Sequence, residues 1–153
     1  INYVKSFLDG AQLAKYLVMM IDTVRIIVYL PESKIGQIQS LGQQLIKSKD
    51  FSNRLFARFI GLCVASFYGN RYGPLHTKQL ERSKNAALVA VHGNFDAQMH
   101  ASAADVAEIN WWITNVHSAW KEIQIPEPDR IVYSGSSTLG YGFHEPSSGR
   151  KGG

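Results

Sequence analysis

The stretch that most constrains this chain is Ser52–Tyr68, SNRLFARFIGLCVASFY. Ser52 suits a helix N-cap, and Leu55, Phe56, Phe59, Ile60, Cys63 and Phe67 recur at steps of one, three and four. That spacing predicts one helix with a broad apolar stripe, flanked near its start by Arg54 and Arg58. Gly61 falls inside the helix, where glycine costs roughly 1 kcal/mol against alanine, so another backbone is expected to come close there. A stripe this wide has to be buried by other helices. Leu55, Phe59, Ile60, Cys63 and Phe67 are therefore expected to form the core, touched by Ile38, Leu45, Val106, Ile109 and Ile113.

The remaining chain has the means to cover it. With 153 residues, 45% hydrophobic and 18% charged, it suits one globular domain, or one small domain with pieces of two neighbours. No apolar run approaches the ~18 residues of a membrane span, and a signal peptide's charged start and small-residue cleavage site are missing. Ile1 opens in mid-pattern, as a piece of something longer would. The single cysteine, Cys63, sits in the apolar stripe and reads as a small buried hydrophobe; a disulfide framework is excluded.

In chain order, Ala14–Ile21 and Val24–Leu30 are β-prone runs around Asp22-Thr23, which predicts a hairpin. Pro31 stops the second run and suits a helix's first turn, with Glu32 favourable there. Ile35, Ile38, Leu41 and Leu45 give a helical stripe up to Lys47, weakened by Gly36 and Gly42 and so dependent on tertiary packing. Gly69–Pro74 is a turn cluster, and Leu75–Val91 reads as a third helix ended by His92-Gly93-Asn94. Ser102 and Asp105 have the spacing of a capping box. Val106, Ile109, Ile113, Val116, Trp120 and Ile123 then follow at threes and fours as an amphipathic helix. Pro126-Glu127-Pro128 reads as a stiff linker, Ile131–Tyr133 as the start of a strand, and Ser147–Gly153 as a frayed tail.

Chemistry is sparse. His76, His92, His100, His117 and His144 lack metal-ligand spacing, Cys63 has no polar context to activate it, and no phosphate-binding GxxxxGK loop occurs. Trp111-Trp112 reads as a core-and-edge pair rather than a base-stacking platform. Charge is the stronger signal. Residues 1–100 hold 12 Lys/Arg against 6 Asp/Glu, whereas the rest hold 4 against 6. A basic front suits a nucleic-acid partner, and equally an ordinary solvated surface.

The motifs in order resemble a known family. Asn2-Tyr3-Val4-Lys5-Ser6, Tyr16-Leu17, Ile21-Asp22-Thr23 and Leu30-Pro31-Glu32-Ser33-Lys34 resemble a reverse transcriptase past its catalytic aspartates. Leu55–Leu62, Gly73-Pro74-Leu75, Gln79–Arg82 and Glu108–Trp112 continue the match, and Tyr133–Ser137 with Gly140-Tyr141-Gly142 is similar to the start of ribonuclease H. The pattern is that of tyrosine-recombinase retrotransposons, the DIRS-like and Ngaro-like elements, over about residues 1–145.

The resemblance implies an α+β chain. Residues 1–29 would end the polymerase palm with a primer-grip-like β-hairpin, and 30–100 would be a helical thumb. Residues 101–125 would be a connecting helix, giving a thumb-like bundle of about four helices in all, and 126–153 the truncated β-hairpin and tail of a ribonuclease H-like domain. A thumb holds the template–primer duplex through its backbone, so the implied partner is an RNA/DNA duplex, with neither membrane nor small-molecule substrate. Lys47, Lys49, Arg54, Arg58 and Arg71 are the candidates to face phosphates.

Departures from the family limit the chemistry. The metal-binding aspartates of the polymerase would lie before Ile1, the glycine of the primer-grip motif is Val18, and the first ribonuclease H aspartate falls at Gly135. Two-metal chemistry needs several converging carboxylates, so no catalytic residue, metal ligand or independent activity is expected, and Mg²⁺ belongs to the intact family only. The expected function is non-specific nucleic-acid binding by a degenerate fragment, inside the cell in cytoplasm or nucleus. A helical interaction or structural module, or a remnant without function, is the alternative.

Overall fold

The computed structural model describes residues 10–48, 50–123 and 127–153. The chain is α+β and divides into two units, Ile1–Ile123 and Gln124–Gly153. The expectations for residues 1–9, including the Asn2–Ser6 motif, and for Lys49 and Pro126 fall outside the described residues.

The first unit opens on three short strands, β1 (Leu13–Tyr16), β2 (Met19–Asp22) and β3 (Ile27–Tyr29). A single hairpin was expected from Ala14–Leu30; the first β-prone run is instead folded in two at Leu17-Val18, with Tyr16 opposite Met19. Leu17 accepts φ 53° to make that turn. Left-handed backbone costs a non-glycine residue roughly 1–2 kcal/mol, so no turn-forming residue announces the break. The Asp22-Thr23 turn exists where expected but joins β2 to β3, with Asp22 Oδ1 accepting from Val24 N and Arg25 N at 3.0 and 2.9 Å.

Pro31 ends β3's extension and caps α1 (Glu32–Lys47), whose Ile35, Ile38, Leu41 and Leu45 are all buried as the stripe requires. A short strand β4 (Asp50–Ser52) leads into α2 (Asn53–Ala65), where the Ser52 side chain accepts from Leu55 N at 3.2 Å. Phe56, Phe59, Ile60 and Cys63 are buried, while Leu55 and Phe67 pack on the core from its partly buried edge. Burial pushes the Cys63 thiol far above its ordinary range, which leaves it unreactive.

The third helix, α3 (Lys78–Ala90), starts three residues later than Leu75, because Leu75 and His76 are held in the preceding turn by Tyr72 O and Gly73 O. Strand β5 (Gln98–His100) pairs antiparallel with β4. Helix α4 (Ala103–Asn115) begins at a reciprocal capping box of Ser102 and Asp105. It ends at Asn115, short of the expected Ile123. A 3₁₀ turn, Val116–Ser118, follows, and Trp120 and Ile123 leave the helix. Trp120–Glu122 forms β6, paired with β3, so the N-terminal sheet has the order β1-β2-β3-β6.

The four helices close around Phe56, Phe59, Ile109 and Trp112, all fully buried. The close approaches fall at glycines other than Gly61, around which nothing lies within 4 Å of an added Cβ. Gly42 lets α4 reach α1, since a Cβ there would lie 2.9 Å from Ile113 Cγ1 and 3.2 Å from Phe59 Cε2. Gly73 admits Trp112, whose Cη2 would be 2.7 Å away. Val106, expected against the core, is half-buried.

The second unit is a three-stranded antiparallel meander, β7 (Tyr133–Ser136), β8 (Tyr141–Glu145) and β9 (Arg150–Gly152). The expected hairpin is β7–β8. Residues 147–153 are not a frayed tail: Gly149 takes φ 68° in a turn, and β9 then pairs with β8.

Candidate nucleic-acid interface

On the solvent side of α1, opposite its buried stripe, Ser33, Gln37, Ser40, Gln44 and Lys47 follow at steps of three and four, all exposed. The first four line a groove of about 400 Å³ between α1 and α2, whose far wall is Arg58 with the stem of Leu62. Gly36 in the groove leaves open space above its backbone. Hydroxyls, amides and a guanidinium, with no carboxylate among the described residues that line it, are the groups that hold a phosphodiester backbone without reading bases. Lys47 continues the same strip at the end of α1.

The five cations expected to face phosphate do not form one surface. Lys47 and Arg58 share the α1/α2 side. Arg54 is engaged elsewhere: its Nε and second guanidinium nitrogen donate to the two oxygens of Asp96 at 2.8 and 3.1 Å, and its Cζ lies 5.9 Å from the Phe95 ring centre. Hydrogen bonding with Asp96, then its charge, raises the Arg54 pKa, and the same contacts hold the Asp96 carboxyl below the usual carboxylate range. Both side chains are exposed, so the pair contributes little stability. Lys49 lies outside the described residues.

Arg71 lies past the far end of α2, which runs on for about 17 Å beyond Arg54. Its Cζ sits 6.0 Å from the centre of the Tyr72 ring, at the rim of a second cleft of about 270 Å³. Asn70, Trp111, Asn115, Ser118, Ala119 and Trp120 line the rest of that cleft. Trp111-Trp112 is the core-and-edge pair that the sequence suggested. Trp112 is buried and donates through Nε1 to His76 O at 3.1 Å, while Trp111 stacks on the His76 ring at 3.7 Å and 11°. His76 Nδ1 is in turn 2.8 Å from Glu108 Oε2.

Tyr72 and Trp120 were missed as site residues. Tyr72 lay in a stretch read only as a turn, and Trp120 continued a helical period that stops before it reaches it.

In the second unit, Gly135 stands opposite Gly142 on the exposed sheet, with open space where a side chain would be. Glu145 is buried and engaged, its carboxylate accepting from Ser148 Oγ and lying 3.8 Å from Arg130 Nε. Among the described residues no three His, Cys, Asp or Glu side chains gather where they could hold a metal ion. The Mg²⁺ of the intact ribonuclease H family needs carboxylate oxygens, and the residues at this position do not fit it.

The chain matches no protein-family model, and no curated protein or solved structure is significantly similar to it. Among the described residues, no helix is long and apolar enough to cross a membrane.

Proposed function

We propose that this chain is a fragment of a retrotransposon reverse transcriptase/ribonuclease H polyprotein that binds RNA/DNA template–primer duplex without sequence preference and without catalysis of its own. The observation that carries the reading is the polar groove between α1 and α2, where Ser33, Gln37, Ser40 and Gln44 face Arg58 with no carboxylate among the described residues that line it. The resemblance assigns both helices to the thumb, the part that grips the duplex backbone. The three antiparallel strands β7–β9 suit the opening strands of a ribonuclease H-like sheet, and the compartment implied is the cytoplasm or nucleus.

Binding of this kind rests on charge neutralisation and counterion release, so it weakens as salt rises. A fluorescently labelled RNA–DNA hybrid titrated with the whole chain should show anisotropy-detected binding at low salt that fades steeply towards physiological salt. Affinity should be the same for hybrids of unrelated sequence. Absence of binding at low salt would overturn the reading, and salt-independent binding would favour a helical interaction module.

A further inference from the structure

We propose that the cleft beside Arg71 seats one unpaired nucleotide of a single strand, its base against Tyr72, Trp111 and Trp120 and its phosphate on Arg71. The inference rests on the nucleic-acid reading above and adds a second site, distinct from the α1/α2 groove. Three aromatic side chains from three separate elements meet there: Tyr72 from the turn after α2, Trp111 from α4 and Trp120 from β6. Tyr72 and Trp120 are left 57% and 45% exposed, so ring surface is open to a ligand in the cleft. Trp111 is held in place by its stack on His76 and its edge-on contact with Trp112, 5.5 Å away at 89°.

The polar groups of the cleft complete the case. Asn70 Oδ1 accepts from Tyr72 N and Gly73 N at 3.2 and 3.0 Å, which fixes the amide and leaves Nδ2 as a donor. Asn70 is 2% exposed, and that Nδ2 has no partner. Buried donors are nearly always satisfied; this one belongs to a residue of the cleft wall and lies just behind its surface, where a base edge reaches it once the wall relaxes around a ligand. Asn115 is the converse: its Nδ2 donates to Trp111 O at 2.8 Å, leaving Oδ1 to accept. A donor and an acceptor beside flat aromatic faces match the edge and face of a nucleobase. Arg71, with no carboxylate among the described residues of the lining, favours an anion on the same ligand. At about 270 Å³ the cleft is just below the usual range of ligand sites, which suits a single base and nothing larger. The base must be unpaired, because the faces of a duplex base are covered by its neighbours.

The test is tryptophan fluorescence of the whole chain titrated with a five-residue oligodeoxythymidylate, alongside anisotropy with the RNA–DNA hybrid. The oligonucleotide should quench the emission of Trp111 and Trp120. Trp120→Ala and, separately, Tyr72→Ala should each weaken its binding roughly tenfold, as loss of one base stack does, and leave hybrid affinity unchanged. Arg71→Gln should weaken it and flatten its salt dependence. Hybrid binding without oligonucleotide quenching would sink this cleft alone, whereas failure of both would sink the nucleic-acid reading with it. Unaltered oligonucleotide affinity in both Trp120→Ala and Tyr72→Ala would also overturn the proposal.

Discussion

Arg54, in the first turn of α2, is clamped by both oxygens of Asp96, 42 residues further along the chain. The clamp removes one of the expected phosphate contacts by satisfying it internally. Asp96→Asn keeps the shape but discharges the partner, so it should free a cation beside the Arg58 face. Affinity for an RNA–DNA hybrid should rise, and the log–log salt slope should steepen by up to about 1. An unchanged slope would place Arg54 away from the duplex. Acid should not mimic the mutation at moderate pH. The Asp96 carboxyl titrates lower folded than unfolded, so the pair persists down through the ordinary carboxylate range and is lost only as pH falls through the lowered value.

Two glycines should respond in opposite directions to the same added methyl. Gly61 is exposed in the middle of α2 with nothing near its missing Cβ, so Gly61→Ala should stabilise the chain by about 1 kcal/mol through helix propensity. Gly73 has the ring of buried Trp112 where its Cβ would go, so Gly73→Ala should destabilise by about 1–3 kcal/mol. Urea midpoints of the two variants against native chain decide it. Equal shifts would contradict the packing around Trp112.

That contrast also marks where the sequence was readable. The Ser52 cap, the α1 and α2 stripes and the Ser102–Asp105 box are local signals, and each specified its element. The end of α4 was hidden because Trp120 and Ile123 prolong the apolar period. Asn115 and Ser118 nevertheless turn their side chains onto the carbonyls of Trp111 and Asn115, offering the backbone an alternative to further helix. The pairing of β3 with β6 joins residues more than 90 apart and has no local signature. The Arg71 cleft depends on that pairing, since it brings Trp120 beside Tyr72. The α1/α2 groove was half legible: Arg58 was named from its charge, but the hydroxyl and amide strip facing it looked like ordinary solvated surface.

The chain should cleave no RNA strand and extend no primer with Mg²⁺ or Mn²⁺ present. Gly135 offers no side-chain oxygen on β7, and Glu145 is turned to Ser148 and Arg130. Gly135→Asp adds a single carboxylate to an open strand surface and should not restore cleavage of a labelled RNA–DNA hybrid. Metal-dependent cleavage by the native chain would refute this. Cleavage by the variant alone would mean that Asp129, Glu145 or a second copy of the chain supplies the missing ligands.

In the proposed duplex interface, Arg58 meets phosphate at the wall of the α1/α2 groove and Lys47 meets it at the end of the α1 strip. Both are exposed, so Lys47→Gln and Arg58→Gln should leave the fold intact. The deciding measurement is the slope of log affinity against log salt for an RNA–DNA hybrid, in native chain, both single variants and the double variant. Each substitution should reduce the slope by about 1, and the pair by about 2, with affinity falling equally for hybrids of any sequence. Four indistinguishable slopes would contradict the account.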